Sequence, residues 1–596
     1  MTDHHHARRR WRRGVALTAL AVLTTATAGC GVPTSGPTTR VEEIPDDVTG
    51  PNETVMPLTP STNAEKTVKA FLGAAAGDWS GRDDRLNVFV EEGAGHWSEP
   101  ESGIVLIRVG DGDIDVADGA TTTEAEVEVT GRIIGTYDTY GQVEPVKGDT
   151  DYHQRFSLRR DDASRSWSLK NPPEQVVLLD STFAERYETR SVYFPATDDA
   201  AGTLVPDLRW MPTSVRNDQE RYSQITDWLL DGPSDWLAGS VDSSFPRNTA
   251  NKSVTVKNSR VTVDVSPQAA QQSAGPPSDM SAQLAWSLGL SDSTHLSLLV
   301  DGQERLSGPV SDWNYRSRAP SDDPAARNLS YFLTGDGAVA ADHLDAPFVT
   351  GESLGLAAAV LEPHGDRIAG VTYRDSAARL VAGPPGTVAR IDSFAAGVIT
   401  DPQWFNRDRL LVLADGQPTL VKIADGKSRA IDIPDAPTGA ISQLSLSPDS
   451  RRLAYVLNGR AWVVPITEVD GMTVEVGTPQ RVGLDVEQVT DIGWSQETRL
   501  LMIGTVPDTE DWLWEVSIDN AYQQPLKGAR DSIRADSLAV RCAYPKNTDE
   551  VGQPIIVLVG DELLRVFSDT VKAVTSRIDK QTEAPARGVM APFTAP

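Results

Sequence analysis

The spacing of hydrophobic positions changes from one region of this chain to the next. Residues 14–28 form an uncharged, mostly apolar or small run behind a basic stretch, His4-His5-His6-Ala7-Arg8-Arg9-Arg10-Trp11-Arg12-Arg13. At about 15 residues the run falls short of the roughly 20 that span a bilayer. A basic end, a short apolar core and then small residues is the layout of an export signal, which predicts a removable leader over 1–29. Residues 30–60 show no apolar period and are rich in Pro, Thr, Ser, Gly and acids, the composition of a flexible tether. Fully extended, such a segment reaches up to ~100 Å.

Periodicity begins at Thr62-Asn63-Ala64-Glu65, a capping-box arrangement, followed by Val68, Phe71, Leu72 and Ala75 at helical spacing, with Gly77 as the stop. Alternating runs around Ile104–Ile107, Ala125–Val129, Phe156–Leu158 and Trp167–Leu169 read as strands. Together they predict an N-terminal α+β domain with one curved sheet over 61–190. A second α+β unit is predicted over 191–318. It contains a helix carrying Tyr222, Ile225 and Leu229 that Asp231-Gly232-Pro233 terminates, strands at Val254–Val256, Val261–Val265 and Leu296–Val300, and a helix carrying Met280, Leu284 and Leu288.

The C-terminal half repeats. Arg367, Arg409, Arg452 and Arg499 each lead a short apolar strand after a polar turn, at intervals near 40–50 residues. That period with several short strands per unit is the signature of propeller blades. Residues 325–575 hold five or six of them, and 576–596 read as a disordered tail.

Charge and cysteine content then restrict function. The formal net charge of −29 repels phosphodiester backbones and excludes nucleic acid as an expected ligand. Removing the leader takes away five arginines and one aspartate, so the mature chain is more acidic still. Of the two cysteines, Cys30 follows Thr27-Ala28-Gly29, which resembles a bacterial lipobox except for Thr27, where such boxes usually carry Leu. The resemblance implies cleavage between Gly29 and Cys30 and diacylglyceryl transfer to the Cys30 thiol. Two acyl chains anchor durably where one does not. An ordinary secreted protein is the alternative, and Arg12-Arg13 leaves twin-arginine export open beside the general route. Cys542 then has no intrachain partner and reads as a buried thiol.

Signals for catalysis are sparse. Outside the leader the histidines are His96, His153, His295, His343 and His364, none at metal-ligand spacing from another. Asp111-Gly112-Asp113-Ile114-Asp115 starts like a calcium loop, but Val116 stands where the turn glycine belongs, so a polar turn entering a strand is preferred. No nucleophile elbow or phosphate-binding loop is present. His364, Asp366, Asp449 and Glu497 sit in predicted blade turns, facing either the rim or the central channel. Trp210, Trp228, Trp236, Trp286 and Trp313 crowd the second unit, as core or in part as an interface patch.

In this order, lipobox, tether, two α+β units and propeller resemble the actinobacterial lipoprotein LpqB family along essentially the full chain. The second unit resembles the GerMN domain of spore-germination proteins through Leu204-Val205-Pro206-Asp207, Leu230-Asp231-Gly232-Pro233, Val261-Thr262-Val263-Asp264-Val265-Ser266, Gln283-Leu284 and Val300-Asp301-Gly302. The resemblance implies a non-enzymatic, cofactor-free lipoprotein anchored on the outer face of the cell membrane. It further implies binding to the extracytoplasmic domain of a sensor kinase of the MtrA–MtrB two-component type, linked to cell-wall homeostasis and division. A cell-wall glycan or peptide binder and a propeller hydrolase are the alternatives. Cys30→Ala is expected to abolish incorporation of labelled palmitate and to move the protein out of the membrane fraction; unchanged labelling and location would refute the anchor.

Overall fold

The computed structural model describes residues 59–593, except chiefly 92–102, 314–330, 342–354, 527–534, 541–554, 577–583 and a few shorter loops. The leader, Gly29, Cys30, the tether, His96, His343, His364 and Cys542 lie outside the described residues. The multidomain fold, α+β units followed by an all-β propeller, is the one the hydrophobic pattern predicts.

In the first unit, helix α1 (Ala64–Ala74) starts where Asn63 accepts a hydrogen bond from the Lys66 amide at 2.9 Å. Its Val68, Phe71 and Leu72 are buried, with Phe71 edge-on to Phe89 and Phe156. The sheet runs in the order Trp167–Leu169, Asp151–Arg160, Glu124–Tyr137, Ile104–Arg108, Val176–Leu179. The long strand Glu124–Tyr137 buries Ala125, Val127 and Val129, while Glu124, Glu126 and Glu128 face outward toward Arg155 and Arg159 on the next strand and Lys170 just past the strand Trp167–Leu169. Such exposed pairs contribute little individually.

The strand Tyr187–Pro195 leads directly into the second unit. Tyr187 belongs to the first core, Val192 and Phe194 to the second. It pairs with Leu204–Pro212. The four-stranded sheet Asn251–Lys257, Arg260–Val265, His295–Val300, Gln303–Pro309 turns its valine and leucine face toward two helices, Asp218–Asp231 and Pro277–Ser287. The motifs that carry the family likeness hold one another. The Asp207 carboxylate accepts the Ser234 amide at 2.6 Å and pairs with Arg209 at 2.9 Å, and Arg209 donates to the Gly232 carbonyl. The Gly302 amide donates to Asp264 at 2.9 Å. Gln283 accepts the Ser244 amide at 3.0 Å. Gly141, in the first unit, adopts φ +76, and a Cβ there would stand 2.7 Å from the Trp228 ring, so only glycine lets the units approach this closely.

Six sheets form the propeller among the described residues. Their inner strands neighbour one another in a ring: Val589–Phe593, Leu356–Leu361, Ile399–Asn406, Ile441–Leu446, Glu487–Gln496 and Ser537–Val540, here numbered blades 1 to 6. Blade 1 corrects one expectation. Residues 576–596 are not wholly a tail, because Val589–Phe593 pairs antiparallel with Tyr331–Thr334, Tyr331 opposite Phe593. The physical reason is edge satisfaction: a ring of sheets closes when the last strand completes the first sheet, and the backbone groups of Tyr331–Thr334 gain partners they otherwise lack. A short hairpin, Thr575–Ser576 with Ala584–Pro585, lies in the same stretch.

Three of the four repeated arginines tie blades together, and Arg499 braces its own. Arg367 stacks on Trp404 of blade 3 and donates to the Arg407 carbonyl. Arg452 does the same one pair of blades further on, stacking on Trp494 at 5.1 Å and donating to the Glu497 carbonyl at 2.7 Å. Trp404 and Trp494 each return a hydrogen bond, to the Val360 and Ser445 carbonyls of the preceding blade. Arg409 lies over Phe405 and bonds Glu468 and the Gly471 carbonyl in blade 4, and Arg499 lies over Tyr522 and pairs with Glu515. Cation–π contacts of this sort contribute about 0.5–2 kcal/mol depending on desolvation.

Truncation after Pro585 removes the closing strand. It is expected to lower the melting temperature of the full chain by several degrees and to expose the amides of Tyr331–Thr334 to hydrogen exchange; unchanged protection there would show that closure does not depend on this strand.

Candidate functional site: the interdomain clasp and the propeller channel

Blades 4 and 5 carry both α+β units. Arg108 and Arg132 stand directly opposite each other on neighbouring strands of the first unit, an arrangement that repels unless a counter-charge lies between them. Asp485, between blades 4 and 5, supplies it by pairing with both, at 2.5 Å for Arg132. Arg108 also bonds Asp180 at 2.6 Å, and Arg132 donates to the Leu484 carbonyl at 3.1 Å. Burial works against the Arg108 cation, but Asp180 and Asp485 outweigh it and hold its pKa above the ordinary value. Arg481 of blade 4 pairs back to Asp149 at 3.1 Å.

Three further links come from the chain between 187 and 236. The Trp210 indole donates to Asp519 at 2.6 Å, the Tyr193 hydroxyl to Glu497 at 2.6 Å, and the Trp236 indole to the Thr478 carbonyl at 3.1 Å. Burial pushes the Glu497 carboxyl up to about 7 against the opposing pull of Tyr193 and Arg452, and burial also raises Asp519. Tyr193 is held well above its ordinary value by burial and by the neighbouring Glu497.

A second polar layer lines the inner strands. Asp401 of blade 3, Gln443 of blade 4 and Asp491 of blade 5 occupy corresponding places, Asp401 and Asp491 each three residues before the tryptophan of their strand. With its nitrogen toward Asp401, the Gln443 amide donates to both carboxylate oxygens at 2.8 and 3.2 Å. Asp491 accepts the Ile492 and Leu538 amides, each at 2.8 Å. Burial, with the Asp491 charge adding to it, pushes Asp401 up to about 7, and burial pushes Asp491 to about 6. Two carboxylates two blades apart thus stand on inner strands, and Asp401 feels the charge of Asp491. They can hold protons near neutrality; among the described residues, no group of three His, Cys, Asp or Glu side chains is placed to hold a metal ion.

Of the sequence candidates, Glu497 is at the clasp, Asp449 pairs with Arg452 at 2.5 Å, and Asp366 pairs with Arg407 at 2.7 Å at the surface. None of these three is one of the inner-strand acids. His153 contacts Glu128, and His295 joins Ser307 at 2.9 Å. Asp113 closes its own turn on the Gly110 amide at 2.6 Å and leads into the strand Ile114–Val116. Four of the five tryptophans are buried; Trp236 is half-buried. Trp210 and Trp236 do serve an interface, and it is with the propeller of the same chain. Asp401, Asp491, Asp519, Asp485 and Arg108 escaped sequence reasoning. Only the recurrence of a polar residue three places before the strand tryptophan could have flagged the channel pair.

Comparison with known proteins gives three family matches in chain order. Residues 57–184 match "Lipoprotein LpqB, N-terminal domain", 191–306 match "Sporulation and spore germination", and 339–540 match "Lipoprotein LpqB beta-propeller domain". The chain is 24% identical over 462 residues to Lipoprotein LpqB of Corynebacterium jeikeium, covering 75% of this chain and 76% of that one. It is 24% identical over 602 residues to Lipoprotein LpqB of Cutibacterium acnes, covering 94% and 96%. Among solved structures, the nidogen/laminin complex aligns with 45% of this chain and 97% of its own at 9% identity and a TM-score of 0.31.

Asp485→Asn removes the charge that separates Arg108 from Arg132. It is expected to weaken the clasp by about 1–3 kcal/mol, read as lost amide protection of Ile104–Arg108 relative to the strand core at Val127; equal protection in variant and wild type would show that the arginines do not need it.

Proposed function

The chain belongs to the LpqB lipoprotein family, and from that premise we propose that it is a membrane-anchored, non-catalytic scaffold whose folded part binds the extracytoplasmic domain of a membrane sensor kinase and modulates its signalling. The observation that carries this reading is the clasp: both α+β units are joined to blades 4 and 5 through buried polar contacts, so the three modules offer one composite surface. By strand direction, the turns that bear Asp449, Glu497 and Asp519 share one face of the propeller. The opposite face presents Tyr373 and Val398, half exposed at 50% and 51%. Exposed aromatic and branched side chains at blade turns are suited to protein contact.

Anchoring at Cys30 through a tether confines the scaffold to a layer beside the membrane and raises its effective concentration at a membrane partner without tight contact. The acidic net charge disfavours flat adsorption to anionic lipid and favours a basic protein surface as partner. One observation favours a second reading. Burial shifts the inner-strand carboxylates Asp401 and Asp491 up toward neutrality, as acid–base groups of a propeller hydrolase would be. Loss of a hydrolytic activity in Asp491→Asn, with partner binding intact, would favour that reading; retention on purified peptidoglycan would favour wall binding instead.

The soluble chain beginning at residue 59 is expected to capture the sensor domain of the cognate kinase at micromolar concentration, and Tyr373→Ala to weaken capture about tenfold. Absence of capture by the wild-type chain at that concentration would sink the proposal.

A further inference from the structure

We propose that the seating of the second unit on the propeller is a pH-sensitive latch, in which protonation of the Glu497 carboxyl favours the seated state. The latch is defined by geometry. Tyr193 lies on the strand that connects the first and second units, and its ring packs edge-on against Trp286 at 5.5 Å. Its amide is fixed by Ser287 at 3.0 Å, so the ring position is set by the second unit. The hydroxyl crosses to blade 5 and donates to Glu497 at 2.6 Å. Glu497 occupies the turn between the first two strands of its blade and is 8% exposed. The Tyr193 hydroxyl of the docked second unit lies directly on this carboxyl.

The charged groups around it come from three elements. Tyr193 donates from the second unit. Arg452 of blade 4 pulls the carboxyl toward the ionised form but uses its own hydrogen bonds on the Glu497 carbonyl and on Asp449. Asp449, in the same blade 4 turn, pushes it toward the neutral form. Arg499 and Glu515 of blade 5 pair with each other, and Ser495 donates to Glu515. Among the described residues, no cation bonds the Glu497 carboxylate itself; its one donor is Tyr193. Burial therefore dominates, and the carboxyl binds its proton more tightly when seated than in water.

The sign follows. A carboxyl held at about 7 in the seated state, against an ordinary 4.5 where unseating returns it to water, contributes fully below 4.5, and this contribution is lost as pH rises through 7. Between pH 5 and pH 8 the seating equilibrium falls by roughly 70-fold at most. Asp519, beneath Trp210, is shifted in the same direction and adds to the trend, but its three donors, Ser517, Trp210 and the Ala521 amide, keep its charged form supported. Glu497 has one. The inference does not rest on the kinase reading, since it concerns contacts within the chain.

The test is hydrogen exchange of the full soluble chain from pH 5 to 8, corrected for intrinsic chemical exchange, followed in the segments 190–195 and 284–288. Protection of these segments is expected to fall across this range while that of the blade 5 strand Arg499–Thr505 holds. Glu497→Gln should flatten the profile. Tyr193→Phe removes a bond that stabilises the ionised carboxyl and should move the midpoint upward, a response that loss of packing alone does not give. A wild-type profile without slope, or the same slope and midpoint in both variants, overturns the latch.

Discussion

Trp210 links three parts of the molecule at once. Its amide donates to the Gly141 carbonyl at 2.7 Å and its carbonyl accepts the Tyr137 hydroxyl at 3.0 Å, both in the first unit. Its ring packs on Phe183 at 5.1 Å, and its indole N–H enters the propeller to meet Asp519. Trp210 itself stands on a strand of the second unit. An indole that size excludes water from its neighbours, and the carboxylate it contacts is expensive to bury without donors. Asp519 is supplied with three, so desolvation is offset rather than simply endured. The consequence is cooperative: the junction cannot be loosened at one unit without exposing a polar group belonging to another.

The propeller solves a different problem with the same chemistry. A blade is a small twisted sheet with apolar faces, and six of them must stay in register around an axis. Hydrophobic contacts are non-directional and do not fix that register. The Arg367 and Arg452 ties do, because a guanidinium stacked on one ring and bonded to one carbonyl has a single orientation. Trp404 and Trp494 add the return bond. The tie recurs between blades 2 and 3 and between blades 4 and 5, and the second of these is also the pair that receives the α+β units.

Legibility of the sequence follows the range of the physics involved. Helix α1 and the strand Glu124–Tyr137 were readable because their burial follows local period: Phe71 and Leu72 inward, Glu126 and Glu128 outward. The blade arginines were readable because the ring repeats a local unit, although the aromatic each one meets was not. The closing strand Val589–Phe593 was missed since its partner lies more than 250 residues earlier, and a short Pro-containing segment at a chain end reads as a tail in isolation. The clasp was illegible for the same reason. Arg108 and Asp485 are ordinary charged residues until the fold brings them together, and Glu497 reads as a turn acid until Tyr193 covers it.

The clasp also changes what the net charge means for a partner. Many of the chain's cations are committed internally: Arg209 and Arg452 are fully buried against Asp207 and Asp449, and Arg108, Arg132 and Arg409 are mostly or partly buried in ion pairs. Each buried pair is close to neutral when viewed from outside, so it removes one cation and one anion from the surface alike. Because acids outnumber bases by 29 before this pairing, the exposed surface is left with a higher ratio of negative to positive groups than the composition implies. A field of that sign extends about a Debye length, ~8 Å at physiological salt, beyond the surface. It holds the folded part away from anionic headgroups while speeding encounter with basic protein surfaces. The sign and strength of that field depend on arginines that no solvent-facing site uses.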